Sequence, residues 1–136
     1  DVCSSDLDDY LRFLVTSVRS LYRMGGIIKG RGAHVILAGR DIFRVRIIGS
    51  VEACAKRIAH QQHMDLNAAK KEVRETNRKR GRLIWRLFNS RLNDASNFDI
   101  VINTDHFADY GQVVDIVMQA MRSLGYHQPA AKAVNE

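Results

Sequence analysis

The sequence predicts an α/β domain, a parallel sheet with flanking helices. Three observations carry this. Short β-branched or aromatic runs at 27–29, 43–48 and 98–103 alternate with long stretches of helical periodicity. Pro129 is the one proline in the chain, so those stretches are free to be helical. At 136 residues the chain is long enough to bury a core and has the length of one domain.

Residues 8–24 read as the first helix. Leu11, Leu14, Val15, Val18 and Tyr22 fall on one face of a 3.6-residue period. Asp8 and Asp9 suit its positive end, and Gly25-Gly26 stops it. The stretch 26–33 reads G-I-I-K-G-R-G-A. Ile27 and Ile28 suit a buried strand over 27–29. Gly30 and Gly32 then allow a sharp turn and a close backbone approach. Arg31 between them offers a planar charged fork matched to phosphate or carboxylate. Ligands of open parallel sheets bind beyond the carboxyl ends of strands, so Gly30, Arg31 and Gly32 form a candidate anion site. The competing reading is a glycine turn carrying a solvated arginine.

A short helical turn is expected at 34–37 and a chain turn at 39–41. The second strand, 43–48, leads to Ser50, a good N-cap, and a helix to about His63. Asp65 starts another helix, to about Phe88, whose apolar stripe lapses between Thr76 and Arg82. A polar loop spans 89–97, and the third strand is 98–103. Thr104 or Asp105 can cap a short turn. The last helix, 111–124, rests on Val113, Val117, Ala120, Met121 and Leu124, and Gly125 ends it. Residues 127–136 read as a frayed tail.

The net charge is +6 and is unevenly placed. Residues 70–91 hold nine basic and two acidic side chains, +7 against about −1 for the rest. Arg74, Arg78 and Arg82 recur every four residues on one helix face. Such a field calls for an anionic partner: nucleotide phosphates, nucleic acid or an acidic membrane surface. No apolar run approaches the roughly 18 residues of a membrane span. Two cysteines, Cys3 and Cys54, make no disulfide framework or metal spacing, so a reduced, cytoplasmic setting is expected. His60 and His63 lie three apart, with no third ligand in view. Cys54 reads as a small buried residue rather than a nucleophile, and Trp85 as core or hinge packing rather than a stacking platform.

The first seven residues, D-V-C-S-S-D-L, resemble the translation of a short-read sequencing adapter. Residues 1–7 are therefore expected to be an artefact, 8–126 the C-terminal part of a domain, and 127–136 a flexible tail. On that expectation the natural protein extends upstream of about Leu7.

G-R-G-A at 30–33, V-R-I-I-G-S-V-E-A-C-A-K-R-I at 45–58, T-N-R-K-R at 76–80 and F-D-I-V-I-N-T-D at 98–105 together resemble the cytidylate kinase-like proteins. These are nucleoside monophosphate kinases of the phosphate-loop fold. The resemblance covers roughly residues 10–124. It implies the remnant of a three-layer kinase fold with a helical lid at about 60–97, and transfer of the terminal phosphoryl of ATP, with Mg²⁺, to a nucleoside monophosphate or similar phosphorylated acceptor. It implies that Arg31 faces the acceptor phosphate, Arg57 the donor phosphates, and that Arg78, Arg80 and Arg82 close over the transferring group. Cys54 stands where members often carry arginine, and Asn77 where they carry aspartate.

Nothing in the chain matches G-x-x-x-x-G-K-[ST]. The resemblance places that loop on a first strand upstream, at the centre of a sheet ordered 2-3-1-4-5. A gap or a non-family pairing is then expected between 27–29 and 43–48, with 98–103 parallel to 43–48. Two other readings stay open. One is a basic nucleic-acid-binding module using residues 70–91. The other is a nucleotide sensor with a degraded kinase site.

Overall fold

The structure, a computed structural model, describes residues 4–126. Its elements are α1 (Ser4–Met24), α2 (Ala33–Ile36), β1 (Val45–Ile48), α3 (Val51–Gln62), α4 (Leu66–Phe88), a 3₁₀ turn (Ala95–Asn97), β2 (Ile100–Asn103) and α5 (Tyr110–Ser123). The expected tail lies outside the described residues.

The expected face of α1 is the buried one. Leu14 and Val18 are buried, while Leu11, Val15 and Tyr22 are half-buried. The helix begins at Ser4 rather than at residue 8, so residues 5–7 are helical too. Val18 packs with Ala33 and Leu37 of the α2 region, and Tyr22, Ile28, Ile36 and Ile42 close around them.

β1 and β2 form a two-stranded parallel sheet, with Val45 opposite Ile100 and Ile48 opposite Asn103. This is the expected pairing. The strand expected at 27–29 does not form. Ile27 is fully exposed, and Ile28 alone turns onto the first cluster. Strand propensity is realised only against a partner, and among the described residues no strand lies alongside these. Gly25 and Gly26, at φ 77° and 105°, turn the chain just before them.

α3 and α4 form an antiparallel helical hairpin. Ser50 caps α3 by accepting from the Ala53 N–H, and Asp65 caps α4 by accepting from the Asn67 and Ala68 N–H groups. Both caps are the expected ones. Ala55 and Ala69 are fully buried at the contact, where small side chains let the helices approach closely, and Val73 completes this second cluster. Lys70 Nζ clasps Glu52 Oε2 at 2.8 Å, and that bond, with Lys70's charge, holds Glu52 below the usual carboxylate range. No helix among the described residues is long and apolar enough to cross a membrane.

Candidate functional site

The carboxyl ends of β1 and β2 converge on the N-terminus of α3. Thr104 ties the strand ends together, its N–H and hydroxyl both donating to the Ile48 carbonyl, at 2.9 and 3.2 Å. Asp105 does not cap a turn of its own. Its Oδ1 instead accepts the Ser50 N–H at 2.9 Å, 55 residues away in sequence. That bond, together with His106 and Arg57 nearby, holds the Asp105 carboxyl below its usual range. The junction is tight around Gly49. A Cβ there would stand 3.1 Å from Cys54 Sγ and 3.3 Å from Asp105 Oδ1.

Arg57, two turns along α3, leans over the Tyr110 ring at 5.7 Å and points an Nη2 toward Cys54 Sγ at 3.9 Å. It is exposed. Asp105 takes the Ser50 N–H just ahead of α3 and Ser50 Oγ takes the Ala53 N–H, while the Arg57 side chain adds positive charge for an incoming anion.

The Gly30-Arg31-Gly32 turn forms a second locus. All three residues are left-handed, at φ 70°, 61° and 66°. Glycine accepts this freely, while arginine is strained. Gly32 has a further reason to be glycine: a Cβ would meet the Phe88 ring, 2.8 Å from Cζ and closer still to Cε2. The end of α4 thus docks on this turn. Arg31 is exposed, with no hydrogen bond or ion pair among the described residues.

The α4 arginines divide. An α-helix turns about 100° per residue, so Arg74, Arg78, Arg82 and Arg86 step round α4 by only about 40° each. Arg80 lies about 160° from Arg78 and Arg82, on the heading of buried Val73 and Ile84. All five are exposed. No hydrogen bond, ion pair or ring contact joins Arg31, Arg57 and the α4 arginines to one another among the described residues. Trp85 is not core packing: it is 49% exposed, with Arg91 over its ring at 5.8 Å. It lines a cavity of about 380 Å³ with Gly81, Arg91, Leu92 and Asn93.

A third cluster was not visible in the sequence. His34 stacks on Phe98 at 4.7 Å, Arg46 lies over the same ring at 5.6 Å, and Arg46 donates to Asn93 Oδ1 at 3.0 Å. Burial, then Arg46 and Arg44, push the His34 pKa down. Its Nε2 is buried with no hydrogen-bond partner among the described residues. Only the fold brings residues 34, 46, 93 and 98 together, and no local pattern announces them.

Three comparisons bear on kinship. No curated protein matches the chain. A crystal structure of an uncharacterized protein from Eubacterium ventriosum shares the fold, with TM-score 0.70 over 88% of this chain at 18% identity. The chain spans 66% of that protein's length. The family model described as the cytidylate kinase-like family matches residues 4–106. With the match running from α1 through both strands and the α3–α4 hairpin, this chain belongs to the cytidylate kinase-like family.

Proposed function

We propose that the chain is part of a phosphotransferase that moves the terminal phosphoryl of ATP to a nucleoside monophosphate, a cytidylate-like acceptor. The observation that carries this is the junction at the carboxyl edge of a parallel sheet, where Arg57 stands beside Asp105, Ser50 and Cys54. Family membership supports a kinase-type reaction, and the acceptor is our own reading.

In this reading an acceptor phosphate oxygen attacks the γ-phosphorus as the bond to the β-phosphate oxygen breaks and ADP leaves. Arg57 holds the donor phosphates. Arg31, raised on the turn made by Gly30 and Gly32, meets the acceptor phosphate with its guanidinium fork. Of the three α4 candidates, Arg80 shares the heading of the packed side and takes the closing role, while Arg78 and Arg82 head away. Among the described residues no three His, Cys, Asp or Glu side chains cluster to hold a metal. Mg²⁺ completes its shell with phosphates and water and needs few carboxylates, so in this reading it would enter with ATP as part of the donor substrate. The phosphate-loop lysine is not among the 136 residues.

The test is ATP-dependent phosphorylation of CMP by the full-length gene product. Arg57→Gln and Arg31→Gln should each lower kcat/KM by roughly 10²–10³, the usual loss for one donor to developing charge. The 136-residue chain alone should show no turnover. A full-length protein that binds ATP but phosphorylates no nucleoside monophosphate would be a sensor, which Cys54 and Asn77 would suit, and would overturn the kinase reading.

A further inference from the structure

Four arginines, Arg74, Arg78, Arg82 and Arg86, stand at a strict four-residue interval on the outer face of α4. They climb about 6 Å per step and span about 18 Å in all. All are exposed, and none has a carboxylate within ion-pairing distance among the described residues. Like charges at this spacing destabilise a helix, so the ladder persists against local stability. Every rung is arginine rather than lysine, and the guanidinium fork suits phosphate.

Beside the ladder lies Trp85, about 40° or less round the helix from Arg74 and Arg78. It is half exposed and borders the cavity of about 380 Å³ with Gly81, Leu92 and Asn93. Gly81 keeps the mouth open, since it has no side chain and nothing lies within 4 Å of where a Cβ would be. Arg91 over the indole fixes that ring from one side.

We infer that this face binds a single-stranded nucleic acid, with successive phosphates on the arginine ladder and one unpaired base in the Trp85 cavity. The two features belong together. A regular row of arginines fits a regular row of phosphates, and an exposed aromatic at its edge offers a stacking platform for a base that is not paired. A duplex would satisfy the ladder but leave the cavity unused. An acidic bilayer would also meet the charge. The outer face, however, carries no aliphatic row to enter lipid, since Lys71, Glu75 and Lys79 fill its other positions. No hydrogen bond, ion pair or ring contact among the described residues links this surface to Arg57, and ATP should not compete for it.

Trp85 is the one tryptophan in the chain, so its fluorescence reports this site alone. The experiment titrates the 136-residue chain with labelled 15-mer oligouridylate, the deoxy equivalent and a 15-base-pair duplex, at several salt concentrations. Expected are Trp85 quenching by both single strands and anisotropy binding whose log K falls against log salt with a slope of about −3, for four neutralised phosphates. A preference for the ribose strand would assign RNA, and equal affinity would assign single strands of either sugar. Trp85→Leu should weaken binding roughly tenfold with the salt slope kept. Arg74→Gln, Arg78→Gln, Arg82→Gln and Arg86→Gln together should abolish the slope, whereas the same change at Arg12, Arg19, Arg23 and Arg122 should leave it. If the quadruple ladder variant does not fold, the wild-type quench and slope, with the Trp85→Leu result, decide the matter. The inference is overturned if the duplex binds as tightly as the single strands without quenching, if ATP displaces the oligonucleotide, or if only phosphatidylserine vesicles bind.

Discussion

Arg31 is held at φ 61° between two glycines, a conformation that costs a non-glycine residue on the order of 1 kcal/mol. No hydrogen bond or ion pair among the described residues repays it, which supports the acceptor-phosphate role proposed for this side chain. Arg31→Gly should therefore raise stability by up to about 1 kcal/mol in urea denaturation while abolishing anion binding at the turn. Unchanged stability would show that the strain is absent. His34 offers a second test. Its folded pKa lies below the unfolded value of 6.5, so the native state keeps a neutral ring while the unfolded chain takes up a proton first. Stability should thus be full above pH 6.5 and fall as the pH drops below it. His34→Phe keeps the stack on Phe98, removes the unpartnered Nε2, and should gain roughly 1–3 kcal/mol while flattening that stretch of the pH profile. The sequence made Arg31 legible, because Gly-Arg-Gly declares its own backbone. His34 was illegible, because its neighbours come from residues 46 and 98, brought near only by the parallel pairing.

At the scale of elements, helices with their own signals were readable. Ser50 and Asp65 announce their caps, and the α1 face follows from Leu14 and Val18 at a four-residue spacing. The segment 27–29 forms no strand because Ile27 and Ile28 carry only a tendency, and a strand needs a neighbour. The junction role of Asp105 was hidden for the same reason, its partner Ser50 lying on another element. The division of α4 is legible in the sequence. The turn of about 100° per residue that groups Arg74, Arg78 and Arg82 also sends Arg80 to the other side. The ladder holds three like-charge pairs at four-residue spacing, each costing about 0.2–0.5 kcal/mol. Gly81, in mid-helix with open space around it, adds to that weakness. Gly81→Ala should stabilise the chain by about 0.5–1 kcal/mol in thermal or chemical unfolding, because alanine restricts the unfolded backbone and meets no obstacle. If a base enters beside Gly81, the same variant should weaken oligonucleotide binding, so stability and binding should move in opposite directions.

At the scale of the whole molecule, six of the ten buried apolar side chains among the described residues fall into two small clusters, one under α1 and α2, the other within the α3–α4 hairpin, while Leu14, Ile84, Ile102 and Val113 lie outside both. The sheet between them has two strands, and Ile47, Ile48 and Val101 are each more than a third exposed. Such a sheet is short of the three or more strands that usually sustain one, and its outer edges are open to pairing. The purified chain should therefore self-associate with rising concentration, read by light scattering. Ile47→Lys should reduce that association without loss of helix signal in circular dichroism. The α/β class and the parallel pairing were legible because β1 and β2 each carry a compact apolar run. The clusters were not, since their separation depends on where α4 ends. That ending has a mechanical consequence. α4 is clamped by Ala69 and Val73 at one end and by buried Ile84 and by Phe88 against Gly32 at the other, with a mostly exposed stretch over 74–83 between. It behaves as a beam on two bearings, and the beam is softest at Gly81. A load at mid-span must register at both bearings, tilting the hairpin at one and shifting the Arg31 turn at the other.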